Sequence, residues 1–307
     1  MDFYAEPTGT PLEDSERFVA HIGGSSANIA VGLVRQGMQA GLVTSVSDDA
    51  VGRFCLRALD EYGVDRVHVH AKGGEARNSL AVVDVCGDAT QAVIYRNGAA
   101  DFEMSKADID AVDFSRWGAL ITTGTVLAAE PSRSATFHAF DLARAVGLPL
   151  VFDVDYRPYS WSSAADAAVT YSRAASYCDV IVGNDVEFGF MAGSYDLGLA
   201  KARDLARETA RIVVYKMGAE GAITITPTEE FRTGIYQNNA LKPTGAGDAF
   251  MAGFVAALAD RQALRTAVLR GSAAAAIVVA RVGCAPAMPT GAELDDFLAG
   301  HPGPTVP

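Results

Sequence analysis

The stretch that most constrains this chain is residues 239–258, NALKPTGAGDAFMAGFVAAL. Gly245 and Gly247 stand directly before Asp248 and an apolar run in which Phe250, Met251, Phe254, Val255 and Leu258 recur at helical spacing. That pattern predicts a flexible turn opening straight into a helix. Such a turn suits an anion: the amides of a first helical turn lack intrahelical partners, the helix dipole is positive there, and glycine lets a phosphate approach the backbone. Asp248 then has two readings. It is a favourable cap, the ordinary role of a carboxylate at a helix start, or it takes the proton from a hydroxyl that attacks a phosphate lying in the turn.

Half of the 307 residues are apolar, enough for one large core or one core plus a small appendage. The net charge of −12, without any Lys/Arg run, argues against nucleic acid or an acidic membrane surface as partner. Cys55, Cys86, Cys178 and Cys284 stand alone with no C-x-x-C, and neither a cleavable leader nor a long apolar span is apparent. A cytoplasmic location is therefore expected, with the thiols as small core residues. The absence of G-x-x-x-x-G-K-[ST], H-E-x-x-H and G-x-S-x-G removes the Walker ATPase, the zincin and the common hydrolase elbow. His68 and His70 alternate along an expected strand and, lacking a third ligand, read as a surface pair rather than a zinc site.

After Gly23-Gly24 the periodicity predicts a helix over 26–36, a strand over 42–46 and a helix over 49–62, an order that implies a parallel sheet covered on both faces. Residues 78–85 and 92–95, separated by the turn-rich CGDATQ, predict a β-hairpin that interrupts this rhythm. Strands over 119–123, 150–154 and 180–182 alternate with helices over 132–146 and 163–177, strands over 212–215 and 222–226 flank KMGAEG, and a small-residue helix over 263–281 ends at Gly283. The tail 302–307 is expected to fray.

Taken singly, several residues on this path keep two readings. Gly23-Gly24 is a tight turn or a ligand contact. Arg96 at a strand end snorkels or offers a planar fork to a carboxylate. Arg157 pairs with Asp153 or Asp155, or serves a ligand at the carboxyl edge of the sheet. Asn184 and Glu187, three apart, form a helix cap or a pair of oxygen ligands. Lys216 is an exposed loop residue or a site residue, and the small residues of 263–281 permit close packing or flank a ligand.

Together and in this order, the elements from Asp2 to about Gly283 resemble the ribokinase-like (PfkB) carbohydrate kinases. The resemblance implies a three-layer α/β/α sandwich with a mostly parallel central sheet, spanning 20–76 and 97–307, and a small β-sheet lid formed by 1–19 and 77–96. In the family that lid often makes the contact of a homodimer. The implied cofactors are ATP and Mg²⁺, with K⁺ as a monovalent cation. The amides of Gly245, Ala246 and Gly247 would form the anion hole and Asp248 would be the catalytic base. Asp2, Gly24 and Asn28 would hold the sugar, Arg96 its carboxylate, and Asp155 and Arg157 would lie near the substrate. Asn184 and Glu187 would organise Mg²⁺ through water. Asn184, Lys216, Gly218 and Gly221 would lie beside the nucleotide, and Ala275, Val279 and Gly283 would flank the adenine.

Two departures narrow the substrate. Most members carry Asp-Thr where this chain has Lys242-Pro243, and sugar-acid kinases often carry Asn where it has Asp155. Both forms are similar to the subgroup that phosphorylates 5-dehydro-2-deoxy-D-gluconate in inositol catabolism. 2-Dehydro-3-deoxygluconate, fructose and ribose are the alternatives, and a non-catalytic sugar- or nucleotide-binding regulator is the reading from another class. In the family an apolar strand precedes the position matched by Asp2, so the chain is expected to begin inside its first element.

Overall fold

Short apolar runs separated by amphipathic stretches dictate strands and helices that bury one another's faces. The computed structural model describes residues 1–301, 303 and 304. Pro302 and Thr305–Pro307, in the tail expected to fray, lie outside the described residues. The chain divides into two units, Met1–Glu103 with Tyr236–Pro304, and Met104–Ile235.

The second unit carries a six-stranded sheet. Leu120–Thr123, Leu150–Asp153, Val180–Asn184 and Ile212–Lys216 lie side by side in parallel, and Ala222–Ile225 and Glu230–Thr233 extend the sheet antiparallel. Every residue of Leu150–Asp153 and Ala222–Ile225 is buried, as strands covered on both faces require. The helices Ser132–Ala145, Ala164–Ala175 and Gly198–Glu208 stand between strands along the chain. Sequence periodicity placed these elements to within one or two residues at most ends, except the helix Gly198–Glu208 and the strand Glu230–Thr233, which it missed.

The first unit holds a four-stranded sheet in the order Arg17–His21, Asp2–Glu6, Leu80–Val83, Ala92–Tyr95. The expected hairpin is present, with Leu80 opposite Tyr95 and Val83 opposite Ala92. Thr44–Ser47 pairs in parallel with Val69–Lys72 in a separate two-stranded sheet. That strand was expected in one large sheet with the others; its only strand partner among the described residues is Val69–Lys72, and at its end the Ser47 amide and hydroxyl donate to Asn78 Oδ1 at 2.6 and 3.0 Å. His68 also differs from expectation, since it precedes the strand and does not alternate with His70 along it.

The helices Ala246–Ala259 and Leu264–Val279 pack with little room between them. A methyl group on Gly271 would fall 2.8 Å from the Phe250 carbonyl oxygen, and one on Gly253 would fall 3.0 Å from that of Arg270. Small residues therefore set this approach. The helix Ser25–Arg35 joins the pair, with Gly32 facing the Ala252 methyl.

Candidate active site

The helix at the centre of the sequence reading begins earlier than expected. Gly245 is its N-cap, with φ +83°, and the helix runs from Ala246 to Ala259, so Asp248 is its third residue rather than the residue before it. Gly245 is required for two reasons: its φ lies in the left-handed region, and an added Cβ would sit 2.9 Å from Cys284 Sγ. The Cys284 thiol in turn lies 3.2 Å from the Tyr4 hydroxyl, and burial pushes the thiol's pKa up to about 11. Placing Asp248 inside the first turn keeps its carboxylate beside the positive end of the dipole while leaving the Ala246 and Gly247 amides at the helix mouth.

Asn28, in the helix Ser25–Arg35, meets that carboxylate from a position 220 residues away: its Nδ2 donates to Asp248 Oδ2 at 2.8 Å. A carboxylate only accepts, so the amide nitrogen must face it and the amide oxygen must face elsewhere. That oxygen is buried and has no hydrogen-bond partner among the described residues, and Asn28 as a whole is 3% exposed. A buried acceptor without a donor costs free energy unless a ligand supplies one. A hydroxyl that donates to Asn28 Oδ1 or Asp248 meets that need.

Asp2 is buried on the strand Asp2–Glu6, opposite His21 in register. Burial raises its pKa, and the charges of His21 and Lys242 oppose the shift. Its carboxyl group rests on Gly23, where an added Cβ would fall 2.1 Å from Asp2 Cγ. Gly24, with φ +99°, is the N-cap of the helix that carries Asn28 and has open space around it. The Gly pair thus divides its work: Gly23 makes room for Asp2, and Gly24 turns the chain into the helix. The sequence reading singled out Gly24 and missed Gly23, whose signal was only its place in the pair.

Lys242 is 1% exposed, an uncommon place for a lysine. Its Nζ donates to the Thr244 carbonyl oxygen at 2.5 Å. Burial lowers its pKa, while Cys284, Asp248 and Asp2 oppose that shift in this order. The Leu241 and Lys242 amides both donate to the Val279 carbonyl, at 2.7 and 3.2 Å, which fixes this segment to the end of the helix Leu264–Val279. Ala275 is half-buried on the same helix, and Gly283, with φ +82°, lies beyond its end. Arg96 is also in this unit; it pairs with Asp101 at 2.5 Å and lies over the Phe102 ring at 4.2 Å.

The other residues singled out in the sequence lie in the second unit. Asn184 and Glu187 form a reciprocal capping box at the helix Asp185–Ala192. Glu187 is buried; its Oε2 accepts from the Asn184 amide at 2.7 Å and its Oε1 from the Tyr156 amide at 3.2 Å. Burial raises its pKa against the charge of Lys216 and these amides. Each carboxylate oxygen keeps a further lone pair, and the described residues contain no group of three or more His, Cys, Asp or Glu side chains that could hold a metal ion. These donors fit a magnesium ion that keeps its waters, not one held directly in an all-protein cage.

Asp155, buried at φ +37°, pairs with Arg157 at 2.6 Å. Gly218 and Gly221 adopt φ +55° and +84°, and a Cβ on Gly221 would fall 2.0 Å from the Thr233 carbonyl oxygen.

Residues 1–291 match the model of the pfkB family carbohydrate kinases. The chain is 38% identical over 307 residues to the 5-dehydro-2-deoxygluconokinase of Geobacillus kaustophilus, covering 98% of this chain and 91% of the relative. It is 36% identical over 303 residues to the enzyme of the same name from Geobacillus thermodenitrificans, covering 97% and 90%. Among solved structures it is similar to a PfkB protein from Polaromonas, with a TM-score of 0.84, 29% identity and 96% of both chains covered. It is also similar to a Vibrio cholerae fructokinase double mutant bound to fructose, ADP and potassium, with a TM-score of 0.83, 27% identity, and 97% and 94% covered.

Proposed function

Because the chain belongs to the pfkB family of carbohydrate kinases and is an ATP-dependent sugar kinase, we propose that it phosphorylates the primary hydroxyl of 5-dehydro-2-deoxy-D-gluconate, in the cytoplasm. The observation that carries the chemistry is the Asn28–Asp248 hydrogen bond beside the Gly245 turn, with the Asn28 oxygen left for a donor. The names of the relatives at 36–38% identity, together with Lys242-Pro243, support the sugar acid.

In this mechanism Asn28 orients the attacking hydroxyl and Asp248 accepts its proton as the hydroxyl oxygen bonds to the γ-phosphorus of ATP and the bond to the bridging oxygen breaks, releasing ADP. The amides of Gly245, Ala246 and Gly247 stabilise charge on the phosphoryl group in transit. Asp2 and Gly24 bind sugar hydroxyls, and Arg96 and Arg157 serve the carboxylate end, with Asp155 fixing Arg157. Asn184 and Glu187 would hold Mg²⁺ through water, and the ion would supply neutralisation of phosphate charge there. Lys216, Gly218 and Gly221 bind the nucleotide, and Ala275, Val279 and Gly283 flank its base.

The four-stranded sheet, with residues 1–19 and 77–96, serves as lid and dimer contact. Ala92–Tyr95 is exposed along its whole length, with Tyr95 at 57%, and its outer edge pairs with no described strand.

The test is ADP release with Mg·ATP in the presence of K⁺, offering 5-dehydro-2-deoxygluconate, 2-dehydro-3-deoxygluconate and fructose side by side. Preference for the first is expected. Turnover of another sugar alone keeps the kinase and moves the substrate, and ligand binding without turnover favours a regulator. Asp248→Asn should cut kcat by about 10²–10⁴-fold, the range of a lost general base. Turnover near wild type would refute that role.

A further inference from the structure

Lys242 is a buried side chain of this site to which the mechanism above gives no task. It carries three N–H donors, and among the described residues Nζ spends one, on the Thr244 carbonyl. That carbonyl shares its peptide group with the Gly245 amide. A cation on the oxygen of a peptide group polarises it and makes its N–H a stronger donor. The backbone around the lysine is held as well: the Leu241 and Lys242 amides bond to Val279 O, and the Gly87 amide bonds to Leu241 O at 3.1 Å. The ammonium is therefore aimed by a fixed segment rather than by a flexible stem. Thr244 Oγ1, next along the chain, is likewise buried and has no partner among the described residues.

From this geometry we infer that Lys242 is a built-in cation of the phosphoryl-transfer turn. Its ammonium fixes and polarises the Thr244–Gly245 peptide and keeps two N–H donors for charge that develops on the phosphoryl group in transit. This inference rests on the reading of Gly245–Asp248 as the transfer turn and deepens it. It departs from a second use of the same charge, as a ligand for the carboxylate of a sugar acid. The two separate in kinetics: a group acting on the transition state lowers kcat, whereas one that only binds substrate raises KM.

The experiment pairs Lys242→Met with Lys242→Gln. Met fills nearly the same volume without charge but leaves the Thr244 carbonyl without its donor, whereas Gln keeps a donor there. A Tm below wild type, and below that of Lys242→Gln, is therefore expected for Lys242→Met. Its kcat should fall about 10²–10³-fold, the cost of one lost donor to a developing oxyanion, with KM for the sugar acid little changed. Binding of ADP with aluminium fluoride, a mimic of the phosphoryl group in transit, should weaken by a similar factor, while ADP alone binds as before. Lys242→Gln keeps a neutral donor and should fall between Met and wild type. A kcat near wild type in Lys242→Met overturns the inference. So does an intact kcat with a raised KM for the sugar acid, or a weakening of ADP alone as large as that of ADP with aluminium fluoride. Asp248→Asn, assayed in parallel, separates the two failures: if it also keeps turnover, the transfer turn itself has been misread.

Discussion

Gly245→Ala tests the turn by geometry alone. At φ +83° a side chain costs about 1–2 kcal/mol for the left-handed conformation. The added methyl would also stand 2.9 Å from Cys284 Sγ and 3.2 Å from Val278 Cγ1. Cys284 gives way only by leaving the Tyr4 hydroxyl at 3.2 Å, so a further overpacking cost of about 1–3 kcal/mol follows. The sum, about 2–5 kcal/mol, is a large share of a stability on the order of 5–15 kcal/mol. Urea unfolding should show it as a midpoint lowered by about 0.7–1.7 M, given a slope of about 3 kcal/mol per molar, the upper end that a chain of this length favours. Cys284→Ala in the same chain removes the nearest atom. A double-mutant cycle should then recover the overpacking part, about 1–3 kcal/mol, and leave the conformational part in place. Because the turn must shift to admit the methyl, kcat should fall in the single variant. Stability within about 0.5 kcal/mol of wild type, the range of an ordinary surface change, would refute the reasoning; so would the absence of coupling to Cys284.

Gly23→Ala would set a methyl 2.1 Å from Asp2 Cγ and displace that carboxyl, so KM for the sugar should rise about tenfold or more; an unchanged KM removes Asp2 from the sugar site. Arg96→Ala should raise KM for a sugar acid by about 10–100-fold, the worth of a charged hydrogen bond, and leave a neutral sugar unaffected. Equal KM values for variant and wild type would give Arg96 a structural role, through contacts such as those with Asp101 and Phe102. The raised pKa of Glu187 makes its ionisation costly to the fold, a cost absent below the ordinary value of 4.5 and growing as pH rises through the raised one. Glu187→Gln removes that slope, so its Tm should gain on wild type from about pH 4 to pH 7, and parallel Tm curves would show that Glu187 is not the group responsible.

Periodicity made most of the elements legible, because a strand such as Leu150–Asp153 is apolar throughout and a helix such as Ala246–Ala259 repeats its large residues every three or four positions. Asp248 was legible as a carboxylate at a glycine turn, but its place in the helix was not. A left-handed residue can stand anywhere in a Gly-x-Gly run, and only the contact of Gly245 with Cys284 selects the first. Contacts far apart in sequence were the least visible. Nothing local marks Gly23 as the floor under Asp2, or Asn28 as the partner of a carboxylate 220 residues on. Those two roles entered the sequence reading through resemblance or not at all. Arg96 was read as a free fork, since the sequence does not show that Asp101, five residues on, turns back to meet it.

Lys242 shows why a residue's identity and its environment must be read together. In sequence it was a departure from Asp-Thr, and lysine is ordinarily exposed, so composition alone would have placed it in water. The structure buries it between the influence of two carboxylates, Asp2 and Asp248. A phosphoryl group entering beside two carboxylates meets repulsion, and a helix N-terminus offsets it with only about half a positive charge. One full ammonium at the root of the turn reverses most of that deficit, at the cost of desolvating it. A carboxylate at position 242 would instead deepen the deficit, and the site would then need a cation from solution. On the proposed reading, Lys242 supplies that charge from within the chain, beside Asp248 and the Asn28 amide that donates to it.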